Sequence, residues 1–293
     1  MSKATASLES GTGTGRIARR FAELAQRGEL GLIAYLTAGD PTLEATEKIV
    51  LAAAEAGADL IELGVPFSDP LADGPTIQRA SERALKSGTT LAGILALVGR
   101  LRQKTDVPLI LFSYYNPILQ MGLEKFAASA AAAGVDGALA TDLTPEEAGD
   151  YRAILKAHGL DMIFLAAPTS TDKRLERIAA ATSGFLYLIS RTGVTGTRDA
   201  LPEELPALVR RARRATRLPI AVGFGISLPT HVSVLGGIAD AAVVGSAIVA
   251  EIEKAATPEA AAEAVGNLIR TLKQAGRSGV SHRGIPAGSE NPT

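Results

Sequence analysis

Three carboxylates and three prolines fall within the fourteen residues ELGVPFSDPLADGP, from Glu62 to Pro75. The acids are Glu62, Asp69 and Asp73. Prolines at 66, 70 and 75 stiffen the backbone that carries them. Rigidity of this kind holds side chains in a fixed constellation, which acid–base chemistry needs and a plain connection does not. Glu62 stands near the end of an apolar run, DLIEL, in which alternation puts Leu60 and Glu62 on one face and Ile61 and Leu63 on the other. A carboxyl group at the top of such a strand is partly desolvated, which raises its pKa towards the range useful for proton transfer. Alone, Glu62 reads equally well as a strand-end acid reaching solvent; the stiff, acid-bearing loop behind it tips the reading to catalysis.

The elements that must position these acids alternate along the chain. Apolar runs bounded by Gly, Pro or Asp occur at 32–37, 59–63, 108–112, 135–141, 160–165, 184–190, 219–223 and 240–245. Each is followed by an Ala/Leu-rich stretch with helical spacing, such as LEATEKIVLAAAEAG or DKRLERIAAAT. Eight strand–helix units, with strands apolar on both faces, predict a single-domain α/β fold, a closed (β/α)8 TIM barrel of the usual size of about 250 residues. An open doubly wound sheet is the alternative. The helical pattern GRIARRFAELAQRG ahead of the first strand is expected to form the barrel floor. The barrel is expected over residues 15–273, flanked by a flexible extension at 1–14 and a disordered tail at 274–293. The GTGTG at 11–15 follows no strand, so it reads as part of that extension and not as a dinucleotide fingerprint.

In such a barrel the active site lies at the carboxyl ends of the strands, and the loops after strands seven and eight bind phosphate with bare backbone amides. GFGIS and GS stand at those places, which assigns Gly225, Gly245 and Ser246 to an anion site, with Gly196 reaching in from the loop after strand six. That loop, SRTGVTGTRDALPEE, is Gly-containing and polar, and reads as a lid. Aromatics are scarce at 4%, yet Tyr35, Phe112, Tyr114, Tyr115, Tyr187 and Phe224 all fall near strand tops, a crowding that suits a flat ring. Composition narrows the chemistry further. Thirty basic against thirty-one acidic residues leave no excess for nucleic acid or an anionic membrane. The chain has no cysteine and only three scattered histidines, so neither a thiolate nucleophile nor a metal site is expected. With no signal-like apolar segment and no stretch of membrane-spanning length, a cytoplasmic location is expected.

The loop from Glu62, continuing through Thr76, Ile77, Gln78 and Arg79, resembles the signature of the tryptophan synthase alpha subunit family. TAGDP at 37–41, YYNPI at 114–118, SRTGVTG at 190–196, GFGIS at 223–227 and VVGSAIV at 243–249 extend the resemblance in order over roughly residues 15 to 273. The resemblance implies a lyase that cleaves indole-3-glycerol phosphate to indole and glyceraldehyde 3-phosphate by retro-aldol chemistry. No lysine lies in the proposed strands, and a carboxylate mechanism without cofactor is the one the resemblance implies. Glu62 would protonate indole C3 and serve the glycerol hydroxyl; Asp73 would accept the indole N–H. By the same resemblance Tyr35, Ile77, Phe112, Leu139, Phe224 and Val243 surround the indole, and Tyr187 lies next to Glu62. Many members carry phenylalanine where this chain has Tyr35. Thr195 of the lid would close onto Asp73. Asp69 and Asn116 would face a pyridoxal-phosphate beta subunit in an α2β2 assembly that receives the indole. Two other readings use the same barrel: a sugar-phosphate isomerase or epimerase, which would not need both Glu62 and Asp73, and a silent paralogue kept as a binding partner, against which the intact carboxylates argue.

Overall fold

Each apolar run becomes a strand because its neighbours leave it no exposed face. In the computed structural model, which describes residues 15–190, 201–223 and 225–278, the strands are β1 (Gly31–Thr37), β2 (Leu60–Gly64), β3 (Leu109–Ser113), β4 (Gly137–Ala140), β5 (Asp161–Met162), β6 (Leu165–Ala166), β7 (Leu186–Ile189), β8 (Ile220–Gly223) and β9 (Ala241–Val244). All pairings are parallel, in the order β5-β4-β3-β2-β1-β9-β8-β7-β6. The fifth expected strand is thus split in two. Its halves flank Ile163 and Phe164, which still bond both neighbours: Ile163 N donates to Ala138 O at 3.0 Å, and Phe164 O accepts from Tyr187 N at 3.3 Å. The two edges of the sheet are therefore one continuous stretch of chain, and the barrel closes on itself.

Twelve helices cover the described barrel: α1 (Arg16–Arg27), α2 (Leu43–Glu55), α3 (Pro75–Lys86), α4 (Leu91–Arg102), α5 (Tyr115–Met121), α6 (Leu123–Ala133), α7 (Gly149–Ala157), α8 (Asp172–Ala181), α9 (Leu205–Ala215), α10 (Pro229–Leu235), α11 (Ser246–Lys254) and α12 (Pro258–Ser278). Alternation along the strands sorts the core into two layers. Ile33, Leu60, Ile110, Leu139, Phe185 and Val243 fill the barrel, while Leu32, Ile61, Leu111 and Val244 pack outward against helices. The floor helix α1 inserts Ile17, Phe21 and Leu24, spaced along one helical face, into the inner layer, with the Phe21 and Phe185 rings 5.7 Å apart. At the other terminus α12 runs to Ser278, beyond the boundary expected at 273. Gly276, expected to lie in a disordered tail, is buried there, and a Cβ on it would lie 3.4 Å from Val232 and 3.7 Å from Leu30.

Register is held at the amino ends of the strands by a repeated device. Aspartates just before β2, β4 and β9 accept an amide at the amino end of the strand alongside: Leu32 N to Asp59 at 2.8 Å, Leu109 N to Asp136 at 2.8 Å and Ile220 N to Asp240 at 2.7 Å. Each carboxylate also meets a cation, Lys273, Arg102 or Arg213 respectively. Asp136 takes Arg16 at 3.1 Å beside Arg102 at 2.9 Å. Asp136→Ala should therefore strand a strand amide and a half-buried guanidinium, lowering stability by about 3 kcal/mol with an unchanged m-value in urea unfolding. The control Asp106→Ala, at a side chain 84% exposed, should cost less than about 0.5 kcal/mol. A loss at Asp136 no larger than at Asp106 would show that the aspartate does not fix the register.

Candidate active site

A cavity of about 330 Å³ opens at the carboxyl ends of the strands. Its lining includes nine of the residues singled out in the sequence: Tyr35, Asp73, Ile77, Phe112, Tyr187, Gly225, Val243, Gly245 and Ser246. Glu62 and Leu139 lie beneath it, both fully buried. Glu62 sits inside the barrel because it shares a strand face with Leu60 of the inner layer, and in register it stands between Tyr35 of β1 and Ile110 of β3. Asp69 and Asn116 are on the outside, both exposed and neither lining the cavity. Thr195, Gly196 and Phe224 lie outside the described residues.

The two candidate catalytic acids differ sharply in environment. Both Glu62 carboxyl oxygens are buried without a hydrogen-bond partner among the described residues, and burial pushes the group up to about 8. Asp73, half-buried at the cavity wall, is pushed up to about 6 by burial, moderated by a hydrogen bond from Tyr114. Tyr35 and Tyr187 bracket Glu62. Burial raises both phenols, and the Glu62 carboxylate adds to the rise in each; Tyr35 also feels Asp73. Bare glycines make room for both hydroxyls: a Cβ on Gly64 would lie 2.3 Å from the Tyr35 oxygen, and one on Gly223 would lie 2.3 Å from that of Tyr187. The Tyr35 and Phe112 rings meet edge to face at 5.2 Å and 79°, so the apolar side of the cavity has aromatic walls already set at right angles.

The turn after β8 and the start of α11 complete the lining. Gly225 adopts φ 89°, a left-handed conformation that explains glycine in the turn. Ser246 opens α11, whose first amides have no intrahelical partner and offer an anion donors and a favourable dipole. Gly245 has ordinary negative φ, and its lack of a side chain matters instead for space, since a Cβ there would lie 3.2 Å from the Tyr35 ring.

Several residues of this region had no individual role in the sequence. Tyr114 was counted with the aromatic slot, yet it does not line the cavity. Its hydroxyl accepts from Ala72 N at 2.8 Å and bonds the Asp73 carboxylate, while its ring packs against Phe67 at 5.2 Å, so it grips both ends of the acid-bearing loop. Tyr115 also faces away, its ring 5.8 Å from that of Tyr151. Gln78 of α3 donates to the Asp73 carbonyl at 2.8 Å. Ala72, Thr76, Ile226 and Ser227 line the cavity without having been singled out; Thr76 and Gln78 stood inside the family-like run, which is the only signal the sequence carries for them.

Residues 21–277 match the family model described as tryptophan synthase alpha chain. The chain is 54% identical over 259 residues to the tryptophan synthase alpha chain of Solibacter usitatus, covering 88% of this chain and 97% of that one. Among solved structures, tryptophan synthase subunit alpha from Legionella pneumophila superposes with a TM-score of 0.82 at 36% identity, covering 90% of this chain and 98% of its own. Mycobacterium tuberculosis tryptophan synthase gives a TM-score of 0.83 at 35% identity over 90% of this chain and 98% of that one. The chain thus belongs to the tryptophan synthase alpha chain family, the enzyme subunit that cleaves indole-3-glycerol phosphate in tryptophan biosynthesis.

Proposed function

We propose that Glu62 and Asp73 are the catalytic pair of this lyase, and that the chain performs the cleavage within a complex with a tryptophan synthase beta subunit. The observation that carries the first part is the buried carboxyl of Glu62, without a hydrogen-bond partner among the described residues, beneath an aromatic-walled cavity that Asp73 enters from the side. The aromatic carbon C3 of indole leaves only once it is protonated. Glu62, protonated near neutrality, supplies that proton and then takes one from the glycerol hydroxyl as the carbon–carbon bond breaks, returning to its starting state. Protonation at C3 makes the indole nitrogen cationic, and the Asp73 carboxylate accepts its N–H. The amides around Gly225, Gly245 and Ser246 hold the phosphate, fixing the side chain to be cleaved; Thr195 and Gly196 of the lid complete the reading. No metal ion or organic cofactor is assigned.

The partner reading rests on what the outer rim exposes. Beside Asp69, Leu71 is 95% exposed, and beside Asn116, Leu119 is 50% exposed. Large apolar side chains on a rim of polar groups mark a surface for another protein. The Asp69 loop also carries Asp73, so a partner bound there would alter the geometry of the acid. Among the described residues no helix is long and apolar enough to cross a membrane, and a cytoplasmic site of action belongs to the same reading.

Glu62→Gln keeps the shape and removes the transferable proton, so indole release should fall by ~10² to 10⁴-fold. The folded wild type holds the Glu62 proton up to about 8 while the unfolded chain loses it near ~4.3, so wild-type stability falls as pH rises across that window. The glutamine variant should escape that decline; a variant that is both active and equally pH-sensitive in melting would remove Glu62 from the mechanism. For the wild type, activity should be bell-shaped, lost below about 6 as Asp73 takes up a proton and above about 8 as Glu62 gives its own up. Tyr114→Phe deletes the bond that holds Asp73 down, so only the acid limb should move to higher pH; a shift of both limbs or of neither would dissociate Tyr114 from Asp73. Finally, adding a beta subunit should raise the isolated chain's activity by roughly 5- to 150-fold or more. Asp69→Ala should reduce that stimulation more than the basal rate. Equal rates with and without a beta subunit shown to bind would defeat the coupling.

A further inference from the structure

His231 is a buried histidine that touches neither the cavity nor either candidate acid, and the chemistry above leaves it unused. It lies in α10, only 2% exposed, beside a second cavity of about 350 Å³ lined also by Leu201, Thr230 and Val234. Its Nδ1 accepts a hydrogen bond from the backbone N–H of Ser227 at 3.3 Å. Ser227 in turn lines the active cavity, two residues after Gly225. The imidazole therefore reaches from behind and holds one amide of the turn whose other side faces the substrate.

Accepting at Nδ1 dictates the state of the ring: it is neutral and carries its proton on Nε2. That Nε2 is buried and has no hydrogen-bond partner among the described residues. Leaving a buried donor unsatisfied is unfavourable, and an aliphatic residue such as the adjacent Val232 or Leu235, both buried, would fill the position without it. A packing role alone thus gives no reason for histidine, whereas the bond to Ser227 does. The turn needs such a restraint, because Gly225 at φ 89° gives it a backbone that is intrinsically loose. Amides bind an anion well only when they are oriented before it arrives.

We infer that His231 is a positioning residue for the phosphate end of the substrate, its Nδ1 tethering Ser227 and so fixing the 225–227 turn in the conformation that receives a phosphate monoester. The inference rests on the reading of Gly225, Gly245 and Ser246 as the anion site, and the test separates the two. Asparagine places its Oδ1 where Nδ1 stands and can accept the Ser227 amide; glutamine places its amide at the level of Nε2 and cannot. Both variants are polar and no larger than histidine, so their folding is compared directly by thermal melting. Binding of glycerol 3-phosphate is measured by calorimetry on the full chain, alongside KM and kcat for indole release. His231→Gln should bind glycerol 3-phosphate about 3- to 10-fold more weakly, the loss of one hydrogen bond, with KM rising by more than kcat changes. His231→Asn should recover to within about twofold of wild type. Gly245→Val, which blocks the anion site itself, should lose binding altogether. If Gly245→Val abolishes binding while His231→Gln binds like His231→Asn, the tether is refuted and the anion site stands. If Gly245→Val binds like the wild type, the anion site and the tether fall together. Should His231→Gln melt far below the wild type, His231→Asn still decides: a variant that melts normally and binds weakly overturns the inference.

Discussion

An ionisable group held inside a barrel without a hydrogen bond from any described residue can keep a raised pKa only while water is excluded from above and below, and Glu62 imposes that constraint on this molecule. Below it, Leu60, Ile33 and Phe185 fill the interior, and the Ile17, Phe21 and Leu24 face of α1 plugs the floor. Beside it stand Tyr35 and Tyr187, whose hydroxyls rest over Gly64 and Gly223. A floor helix far from any substrate is in this sense part of the active site: opening the barrel's base would hydrate the carboxyl and bring it back towards ordinary acidity.

The same constraint sets demands on the top of the barrel, where the acid–base half and the phosphate half arise on strands far apart in sequence. One network ties them. Arg83 of α3 grips the buried Asp40 in two hydrogen bonds, at 2.7 and 2.8 Å, and reaches Glu253 of α11 at 2.7 Å. Arg79 meets Glu253 through two further bonds of 2.7 Å. Helix α3 follows the Asp73 loop and holds it through Gln78, whereas α11 begins at Ser246. The guanidinium pair therefore locks the helix behind the acid to the helix whose amides face the phosphate. Bidentate geometry matters here more than charge, because it fixes direction as well as distance. At the opposite mouth, Asp59, Asp136 and Asp240 perform the corresponding task for strand register.

Much of this was present in the order of residue types. Repeated apolar runs punctuated by Gly, Pro and Asp pointed to parallel strands under crossover helices, which a closed barrel and an open doubly wound sheet share, and period-two alternation put Leu60 and Glu62 on one face without saying that it was the inner one. The helical pattern of GRIARRFAELAQRG likewise marked the floor helix. Where local pattern was the whole signal it misled in small ways. LDMIFL reads as one strand but is interrupted at Ile163 and Phe164, and Gly276 reads as a tail although Leu30 and Val232 bury it. Neither outcome is visible without the neighbours that cause it.

What the sequence by itself determined is therefore whatever depends on periodicity and on the conformational range of single residues: strands, helices, the face that Glu62 shares with Leu60, the stiffness of the loop to Asp73 and the glycine turn at 225. What only the tertiary structure decided is which distant groups meet. Tyr114, forty-one residues after Asp73, bonds its carboxylate instead of joining the aromatic slot, and Glu253 finds Arg79 and Arg83 across 174 and 170 residues. The acidities of Glu62 and Asp73 belong to the same class. An acid's pKa is set by the solvent and charges around it, and those arrive with the closing of the barrel and not with the residue's place in the chain.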